Sequence, residues 1–413
     1  MKKYFLFLLV LSFLTVGCES TLAPPTTVFT SPNPTEAIAP TGVIPKTNIT
    51  RKCSNISISH SWDNPILGTL VLVSSNTREN IFLDMNSGTR YPISKNKNDV
   101  AVGFNVSPNR KWLAYAGAED LKTTDSLIVQ SADGQESFRF PINYQEWQII
   151  AYWLNNETLV LWNHASPLDN IILFNPFTGD KQVMRNEYPN IMPEDGGWGH
   201  SWPSVTIYDP LLDQVIYLGM SENGYQPYDA TLILWNVAKN QQVTKISDFG
   251  YTLVHPVWKL DGSGLVFVKS LTDHDPSKRQ QDELFFLSSG GEIKLLTKLS
   301  DMYSSPSIDS ASLSPDARFL AFEIVTNFRL KVGSSNSDRR ILILDMATLE
   351  LIDYCLVPEQ FAQLTWSPDS RYLAFSQPLS SEDAQTLVLD VLNGSVFVAA
   401  EHLRPEGWLN SEK

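Results

Sequence analysis

A ten-residue unit recurs along the chain and restricts its possible folds more than any other feature. WSPDSRYLAF runs from Trp366 to Phe375, LSPDARFLAF ends at Phe322, and VSPNRKWLAY ends at Tyr115. The first and last apolar residues of the unit recur nine positions apart at 106–115, 153–162, 208–217, 258–267, 313–322 and 366–375. Successive units begin 47, 55, 50, 55 and 53 residues apart, and a period near 50 is typical of propeller blades.

Each unit predicts two strands joined by a tight turn. In the turn that begins at Ser367, Pro368 fixes φ at the second position and serine suits the first, while Asp261-Gly262 tolerates positive φ. An apolar run closed by a turn follows every unit, such as TLVLDVLNG at 386–394, and one more short strand comes after it. Four strands per period predict an all-β propeller. We expect the bulky Trp153, Trp258 and Trp366 to pack between neighbouring blades, because each stands at the end of a predicted inner strand.

A seventh pair of strands, at 68–88, has no clear unit before it. The last six residues, WLNSEK at 408–413, closely resemble WLNNET at 153–158, where a unit begins. We therefore expect the C-terminal segment to supply the innermost strand of the first blade and to close the ring, because an open array of sheets would leave exposed edges at both ends. The alternative is that ISISHSW at 56–62 supplies this strand. The chain is predicted to form seven four-stranded blades, with six or eight as the alternatives.

The pattern W-S-P-D-x-x-x-L-A-F, followed by a strand that ends in Asp and a turn, resembles the TolB-type, WD40-like β-propeller repeat. The resemblance extends from about residue 56 to residue 408. Members of this group are commonly extracytoplasmic platforms for protein interaction. Others are the propeller part of prolyl oligopeptidase-like peptidases, for whose hydrolase domain this chain leaves no sequence. The motif is specific for the fold and weak for function.

The N-terminal residues predict export and anchoring. MKKYFLFLLVLSFLTVGCES has two lysines, an apolar run from Tyr4 to Val16 and a small residue before Cys18, which is the layout of a secretory signal. The junction at 15–18 also resembles a bacterial lipoprotein signal. That resemblance implies a signal peptide over 1–17, a lipid on Cys18, and an extracytoplasmic protein held to the bacterial membrane. The alternative is a plain signal peptide with an incidental cysteine.

Residues 18–52 are rich in proline, threonine, serine and alanine, and predict an extended tether that precedes a propeller domain over 53–413. The formal net charge of −14 argues against nucleic acid as a partner. Cys53 and Cys355 are the two remaining cysteines. In an exported chain they are a possible disulfide, and two isolated thiols are the alternative.

The sequence carries no recognisable motif for hydrolysis, zinc binding or phosphate binding, and its six histidines are scattered. The extra length falls in loops that a propeller places on one face, and binding residues commonly lie on such loops. The insertion at 186–204 and the neighbouring loop at 221–230 give a candidate binding surface that contains Trp198, His200, Trp202, Tyr225 and Tyr228. The alternative is that both indoles pack back onto the disk as a local core.

These patterns predict a lipid-anchored extracytoplasmic propeller that binds a protein through its long-loop face, without catalytic activity, cofactor or metal. An alternative is a propeller enzyme that acts on cell-surface carbohydrate or peptide, with acidic and histidine residues gathered at the axis. Another is a sensor that binds a small ligand or a metal. An enzyme requires clustered polar groups with perturbed pKa values, whereas a scaffold requires an exposed aromatic patch.

Overall fold

The structure, a computed structural model, describes residues 49–53, 58–62, 65–74, 79–94, 100–118, 126–141, 148–163, 170–184, 203–219, 231–246, 254–271, 281–326, 338–360, 362–380 and 383–410. Strands account for nearly all of the regular structure in these ranges, and a short 3-10 helix covers Leu299–Asp301. In this part of the chain, no helix is both long and apolar enough to cross a bilayer.

Seven blades of four antiparallel strands form a propeller, which confirms the predicted all-β fold and the number of blades; β1 and β2 each add a fifth strand to one blade. In chain order the strands are β1 (Ile49–Arg51), β2 (Ile58–Ser59), β3 (Thr69–Val73), β4 (Asn80–Asp84), β5 (Arg90–Pro92), β6 (Val100–Val106), β7 (Trp112–Ala118), β8 (Ser126–Ser131), β9 (Ser137–Pro141), β10 (Gln148–Trp153), β11 (Leu159–Asn163), β12 (Asn170–Phe174), β13 (Lys181–Met184), β14 (Pro203–Tyr208), β15 (Gln214–Gly219), β16 (Thr231–Asn236), β17 (Gln241–Ile246), β18 (Val257–Trp258), β19 (Gly264–Ser270), β20 (Asp282–Ser288), β21 (Ile293–Leu295), β22 (Ser307–Leu313), β23 (Phe319–Thr326), β24 (Asp338–Asp345), β25 (Leu351–Asp353), β26 (Thr365–Trp366), β27 (Tyr372–Pro378), β28 (Ala384–Asp390), β29 (Val396–Glu401) and β30 (Arg404–Leu409).

Each blade takes four of these strands in sequence, counted outward from the axis, except the first. Blade 1 is β30-β3-β4-β5, and blades 2 to 7 begin with β6, β10, β14, β18, β22 and β26. Turns join the first strand to the second and the third to the fourth on one side of the disk, which we call the turn face. The remaining connections emerge on the opposite side, the long-loop face.

The C-terminal strand closes the ring, as the sequence predicts. β30 pairs antiparallel with β3, with Trp408 opposite Leu70, and it also contacts β6 of blade 2 and β26 of blade 7. The alternative strand at 56–62 is not in this position. Instead β2 (Ile58–Ser59) runs parallel to β29 at the outer edge of blade 7. The physical reason is that the inner place needs a buried apolar strand, and both residues of β2 are exposed.

The tryptophan that begins the repeat joins one blade to the preceding blade, as expected. Trp366 is fully buried, stacks on Phe319 of blade 6 with ring centres 6.1 Å apart, and donates its indole N–H to the Ser312 carbonyl at 3.0 Å. Trp408 stacks in the same way on Tyr372 of blade 7, at 6.4 Å. The same side chain therefore supplies both apolar contact and a hydrogen bond across the joint between blades.

The turn inside the repeat is fixed by its own side chains. The Ser367 hydroxyl donates to Asp369 at 2.5 Å and accepts the Tyr372 N–H at 2.8 Å. Ser370 adopts a left-handed φ of 61°, although it is not glycine. The same network recurs in the turn at 314–319. In blade 2, Ser107 and Asn109 make the same network, so the turn uses a serine followed two residues later by aspartate or asparagine to satisfy the backbone groups that it leaves free.

The described parts of residues 49–62 form a strap along the outer rim. β1 runs parallel to β25 of blade 6, and β2 runs parallel to β29 of blade 7. Trp62 then donates to the Met85 carbonyl of blade 1 at 2.9 Å and packs on Phe397 of blade 7. The strap therefore contacts blades 6, 7 and 1, and it spans the joint at which the ring closes.

A disulfide between Cys53 and Cys355 fastens the strap to blade 6, with the two Cα atoms 5.1 Å apart. Asp353 is fully buried beside it and accepts hydrogen bonds from Arg340 at 3.1 Å and from the Cys355 N–H at 2.7 Å. Although composition places Ile49–Arg51 in the tether, these residues are part of the fold. The outer strand of a blade offers unpaired backbone groups, and β1 satisfies them.

Replacing Trp408 with alanine tests the closure of the ring. The change removes a fully buried indole and its stack on Tyr372, so we expect it to lower the free energy of unfolding by about 3–5 kcal/mol. Urea unfolding should show a similar loss for Trp366→Ala, which breaks the equivalent contact within the continuous chain. Leu392→Ala, at an exposed position, is the control and should stay within about 0.5 kcal/mol of the wild type. A Trp408→Ala protein as stable as this control would contradict closure by β30.

Removing the disulfide tests how much the strap contributes. We expect the double variant Cys53→Ser, Cys355→Ser to lose about 2–4 kcal/mol in urea unfolding, because the cross-link restricts the unfolded chain. A reductant should shift the wild type to the same midpoint and leave the double variant unchanged. Equal midpoints for the oxidised wild type and the double variant would show that the cross-link contributes nothing to stability.

Candidate functional site

The residues of the predicted loop surface and of the predicted anchor lie outside the described residues; they are Cys18, Trp198, His200, Trp202, Tyr225 and Tyr228. Their roles stay predictions. The structure does bring together Cys53 and Cys355, which are 302 residues apart in the chain.

A cluster of charged side chains lies in blade 6, in the half of the blade next to the long-loop face. Glu323 is on β23 shortly before the loop 327–337, and Arg339 is on β24 just after it. Asp309 is near the start of β22, where a β-bulge interrupts the pairing with β23. Bulges redirect side chains, and this one brings the inner strand's carboxylate to the arginine.

One arginine in this cluster serves two carboxylates. The Arg339 guanidinium contacts Glu323 and lies 3.0 Å from Asp309. The Glu323 side chain is fully buried, and those of Asp309 and Arg339 are 8% and 12% exposed. The Ala362 N–H, from the connection to blade 7, also donates to Glu323. The cluster carries one more negative than positive charge when all three groups are ionised.

Burial makes the two carboxylates hold protons more tightly than usual. Desolvation raises the pKa of Glu323 to about 7, even though Arg339 acts to lower it. Desolvation also raises the pKa of Asp309, against the same opposing influence of Arg339. A carboxylate that titrates near neutral pH is suited to donate or accept a proton, and such groups occur both in functional sites and in structural ion-pair networks.

Two further ion pairs lie at the long-loop ends of the neighbouring blades 7 and 1. Glu359 accepts from the Arg404 guanidinium at 2.6 and 2.5 Å. Asp383 contacts Nδ1 of His402 at 2.6 Å, while the His402 side chain is 67% exposed. We call these four residues, together with Asp309, Glu323 and Arg339, the charged rim. It gathers acids and bases from three adjacent blades at their long-loop ends.

The charged rim offers proton-transfer groups and hydrogen-bonding groups. A histidine whose Nδ1 faces a carboxylate is oriented to present Nε2 to solvent, which is an arrangement that general bases use. None of these residues is among the site residues that the sequence predicts. One signal was present: Glu323 is the only charged residue in the otherwise apolar FLAFEIVT of β23. Asp383 and His402 had no such signal, because folding brings them together.

Among the described residues, one group has metal-ligating side chains close enough to share an ion: Cys53, Asp353 and Cys355, whose ligand atoms lie within 4.8 Å of one another. A cysteine binds a metal as a thiolate. Both sulfurs here are in the disulfide, so the two cysteines of this group cross-link the strap to blade 6.

Comparison with known proteins establishes the fold and no closer relationship. No family model matches the chain, and no curated protein matches it in sequence. A solved oligogalacturonate lyase in complex with manganese is 13% identical, with a TM-score of 0.52 over 84% of this chain and 87% of that one. An oligogalacturonate lyase from Vibrio parahaemolyticus is 14% identical, with a TM-score of 0.50 over 82% of this chain and 85% of that one.

TolB from Acinetobacter baumannii is also similar, at 12% identity and a TM-score of 0.44 over 81% of this chain and 79% of that one. At these identities the likeness extends to the propeller fold alone. The seven observed blades confirm the propeller architecture that the resemblance of the repeat to TolB-type propellers implies.

The raised pKa of Glu323 predicts how stability depends on pH. Between the ordinary glutamate value of 4.5 and about 7, the folded protein holds this proton more tightly than the unfolded chain does. The contribution of Glu323 to stability is therefore full below pH 4.5 and is lost as pH rises to about 7. We expect Glu323→Gln to remove about 1–3 kcal/mol of the fall in unfolding free energy between pH 4.5 and 7.5.

The comparison should be made by urea unfolding at both pH values, with Glu292→Gln as the control. Glu292 is an exposed glutamate on the turn face of blade 5, so its replacement should leave the pH dependence as it is in the wild type. Parallel pH profiles for the wild type and Glu323→Gln would refute a proton held by Glu323.

Proposed function

We propose that this protein is an extracytoplasmic binding propeller, anchored to a membrane through a lipid on Cys18 and a tether that reaches the rim of blade 6. The main support for this proposal is the attachment of the strap to blade 6 through strand pairing and a disulfide. The chain that leaves the tether is paired with β25, cross-linked at Cys53, and continued along blade 7.

The disulfide supports the extracytoplasmic location. Structural disulfides persist in oxidising compartments and are rare in reducing ones. Cys53 and Cys355 are the only cysteines after the predicted lipid site, and they are paired. This agrees with the export signal that the N-terminal residues predict.

The position of the fastening suits a tethered protein. A pull on the tether reaches β1 first and then the cross-link at Cys53, before it reaches β2 or Trp62. The load therefore passes into β25 of blade 6 and bypasses β30, the strand that closes the ring by pairing with β3. The ring can stay closed while the protein is held at one point of its rim.

The binding surface in this proposal is the long-loop face, with Trp198 and Trp202 as its anchors and His200, Tyr225 and Tyr228 around them. Tryptophan and tyrosine dominate the energetics of protein interfaces, since they bury large areas with few rotatable bonds. A rigid ring that carries such loops is a suitable protein-binding platform.

Catalysis is a second candidate function, and the charged rim is the observation that favours it. A buried Glu323 that titrates near neutral pH and an oriented His402 are groups that proton-transfer enzymes use. Two fold neighbours are oligogalacturonate lyases, whose substrate is acidic. Carboxylates outnumber arginines in the charged rim, and the whole chain carries −14, so electrostatics oppose an acidic carbohydrate here. Binding of a protein is the function that we favour.

The anchor is tested by Cys18→Ser. Without the acceptor sulfur no lipid can be attached, so we expect the protein to move from the membrane fraction to the soluble fraction on cell fractionation. The wild type and the Cys53→Ser, Cys355→Ser double variant should both stay with the membrane. Retention of Cys18→Ser in the membrane fraction would contradict the lipid anchor.

The binding face is tested by capture from detergent-solubilised membranes, with the wild type and the Trp198→Ala, Trp202→Ala variant compared side by side. We expect a partner that the wild type captures to be reduced at least tenfold, because losing two central aromatic residues costs more than about 1.4 kcal/mol. Leu211→Ala with Leu392→Ala removes exposed apolar side chains from the turn face and should capture as the wild type does. Equal capture by both variants would exclude the loop surface.

A further inference from the structure

A cleft of about 470 Å³ opens on the turn face between blades 1 and 2. Asp84 and Tyr91 line it from blade 1, and Trp112, Asp133 and Glu136 line it from blade 2. A hydrogen bond joins the two blades within the cleft, because the Tyr91 hydroxyl of blade 1 donates to the Ala132 carbonyl of blade 2 at 2.9 Å. The cleft is on the opposite side of the disk from the long loops, so it is a separate site from the proposed binding surface.

In two other blades, an arginine of the same blade occupies the equivalent place. In blade 7, Asp390 ends the third strand and accepts from the Arg371 guanidinium at 2.7 and 3.1 Å. That guanidinium also lies over the Tyr372 ring, 5.0 Å from its centre. In blade 6, Arg318 lies 3.5 Å from Asp345 in the same arrangement. In both of these blades, the aspartate that ends the third strand is thus paired with an arginine that precedes the second strand.

Blade 1 has the aspartate without the arginine. Asp84 ends the third strand, and the Met85 N–H donates to the Gly68 carbonyl at 3.0 Å. The same backbone bond joins Val391 to Arg371 in blade 7, also at 3.0 Å. Gly68 therefore stands where the arginine stands in blades 6 and 7.

No side chain fits at Gly68. A Cβ atom there would overlap the indole of Trp408 and lie 2.5 Å from the Leu409 carbonyl oxygen. The glycine also has a φ of +105°, which L-residues rarely adopt. The steric restriction comes from the closing strand β30, to which Trp408 and Leu409 belong. Closure of the ring thus prevents blade 1 from carrying its own arginine.

Among the described residues, Asp84 consequently has no arginine that takes the place of Arg371 in blade 7. It accepts from the Asn86 N–H at 2.9 Å and from the Ser87 hydroxyl at 2.8 Å, and none of the described residues forms an ion pair with it. Across the cleft, a hydrogen bond from the Ser131 hydroxyl lowers the pKa of Asp133, so that carboxylate is ionised at neutral pH. With Glu136 there are three carboxylates and, among the described lining residues, one cation, Lys111.

We propose that this cleft binds an arginine side chain of a partner protein, which pairs with Asp84 as Arg371 pairs with Asp390. The volume accommodates a guanidinium and its stem. Arginine suits the site better than lysine because its planar fork can pair with a carboxylate through two N–H groups and stack on an aromatic ring. Tyr91 and Trp112 supply rings at the wall of the cleft. This inference does not depend on the proposed binding through the long loops.

The probe for this site is Nα-acetyl-arginine amide, with the uncharged isostere Nα-acetyl-citrulline amide as its control. Binding to the detergent-solubilised full chain is measured by ligand-observed NMR. We expect the arginine compound to bind at least tenfold more tightly than the citrulline compound. Asp84→Asn should reduce that affinity at least tenfold, and Glu401→Gln, an exposed change on the long-loop side of blade 7, should leave it unchanged.

Asp84→Asn keeps the local fold, because blade 3 already has asparagine at the equivalent position. Asn175 accepts the Phe177 N–H at 2.9 Å and makes the same turn. The proposal is overturned if the wild type does not bind the arginine compound, or if Asp84→Asn binds it equally well. It is also overturned if binding appears only after deletion of residues 411–413, since the chain's own terminus would then be the occupant.

Discussion

Every blade of this protein depends on the contact between its inner tryptophan, or the residue in its place, and the preceding blade. A four-stranded blade has two apolar faces and cannot bury either one alone. Trp366 on Phe319 and Trp408 on Tyr372 show the solution, in which an indole stacks across the joint. Such an arrangement is complete only when the last blade meets the first, so the seven blades stabilise each other as a ring.

Closure has consequences at two places in the structure. The strand that closes the ring, β30, is attached to blade 1 by pairing and packing. The strap contacts blades 6, 7 and 1 around this joint, and its disulfide fixes it to the outer strand of blade 6. On the turn face, the indole of Trp408 excludes any side chain from Gly68, and this leaves Asp84 without the arginine that its counterparts have.

The fold could be predicted from the sequence because the residues of the repeat are those that the strands and the turn of each blade need locally. The tryptophan, serine and aspartate of WSPDSRYLAF each have one structural role, and the copy of WLNNET at the C-terminus marked the closing strand. The strap could not be predicted in this way, since pairing at an outer edge depends on which strand is left uncovered. Asp309, Glu323 and Arg339 come together across three strands, and only Glu323, in an apolar strand, carried a signal.

The central claim is that β30, which is attached to blade 1 by pairing and packing, completes a rigid ring. The cross-linked strap is bound to the outer edge of that ring. Amide hydrogen exchange, read by mass spectrometry with and without reductant, tests both halves at once. The account predicts that 404–410 exchanges as slowly as 372–378, and that reduction accelerates exchange in 49–53 and 58–62 alone. Rapid exchange of 404–410 in the oxidised protein would contradict the account, because a strand that frays cannot close the ring.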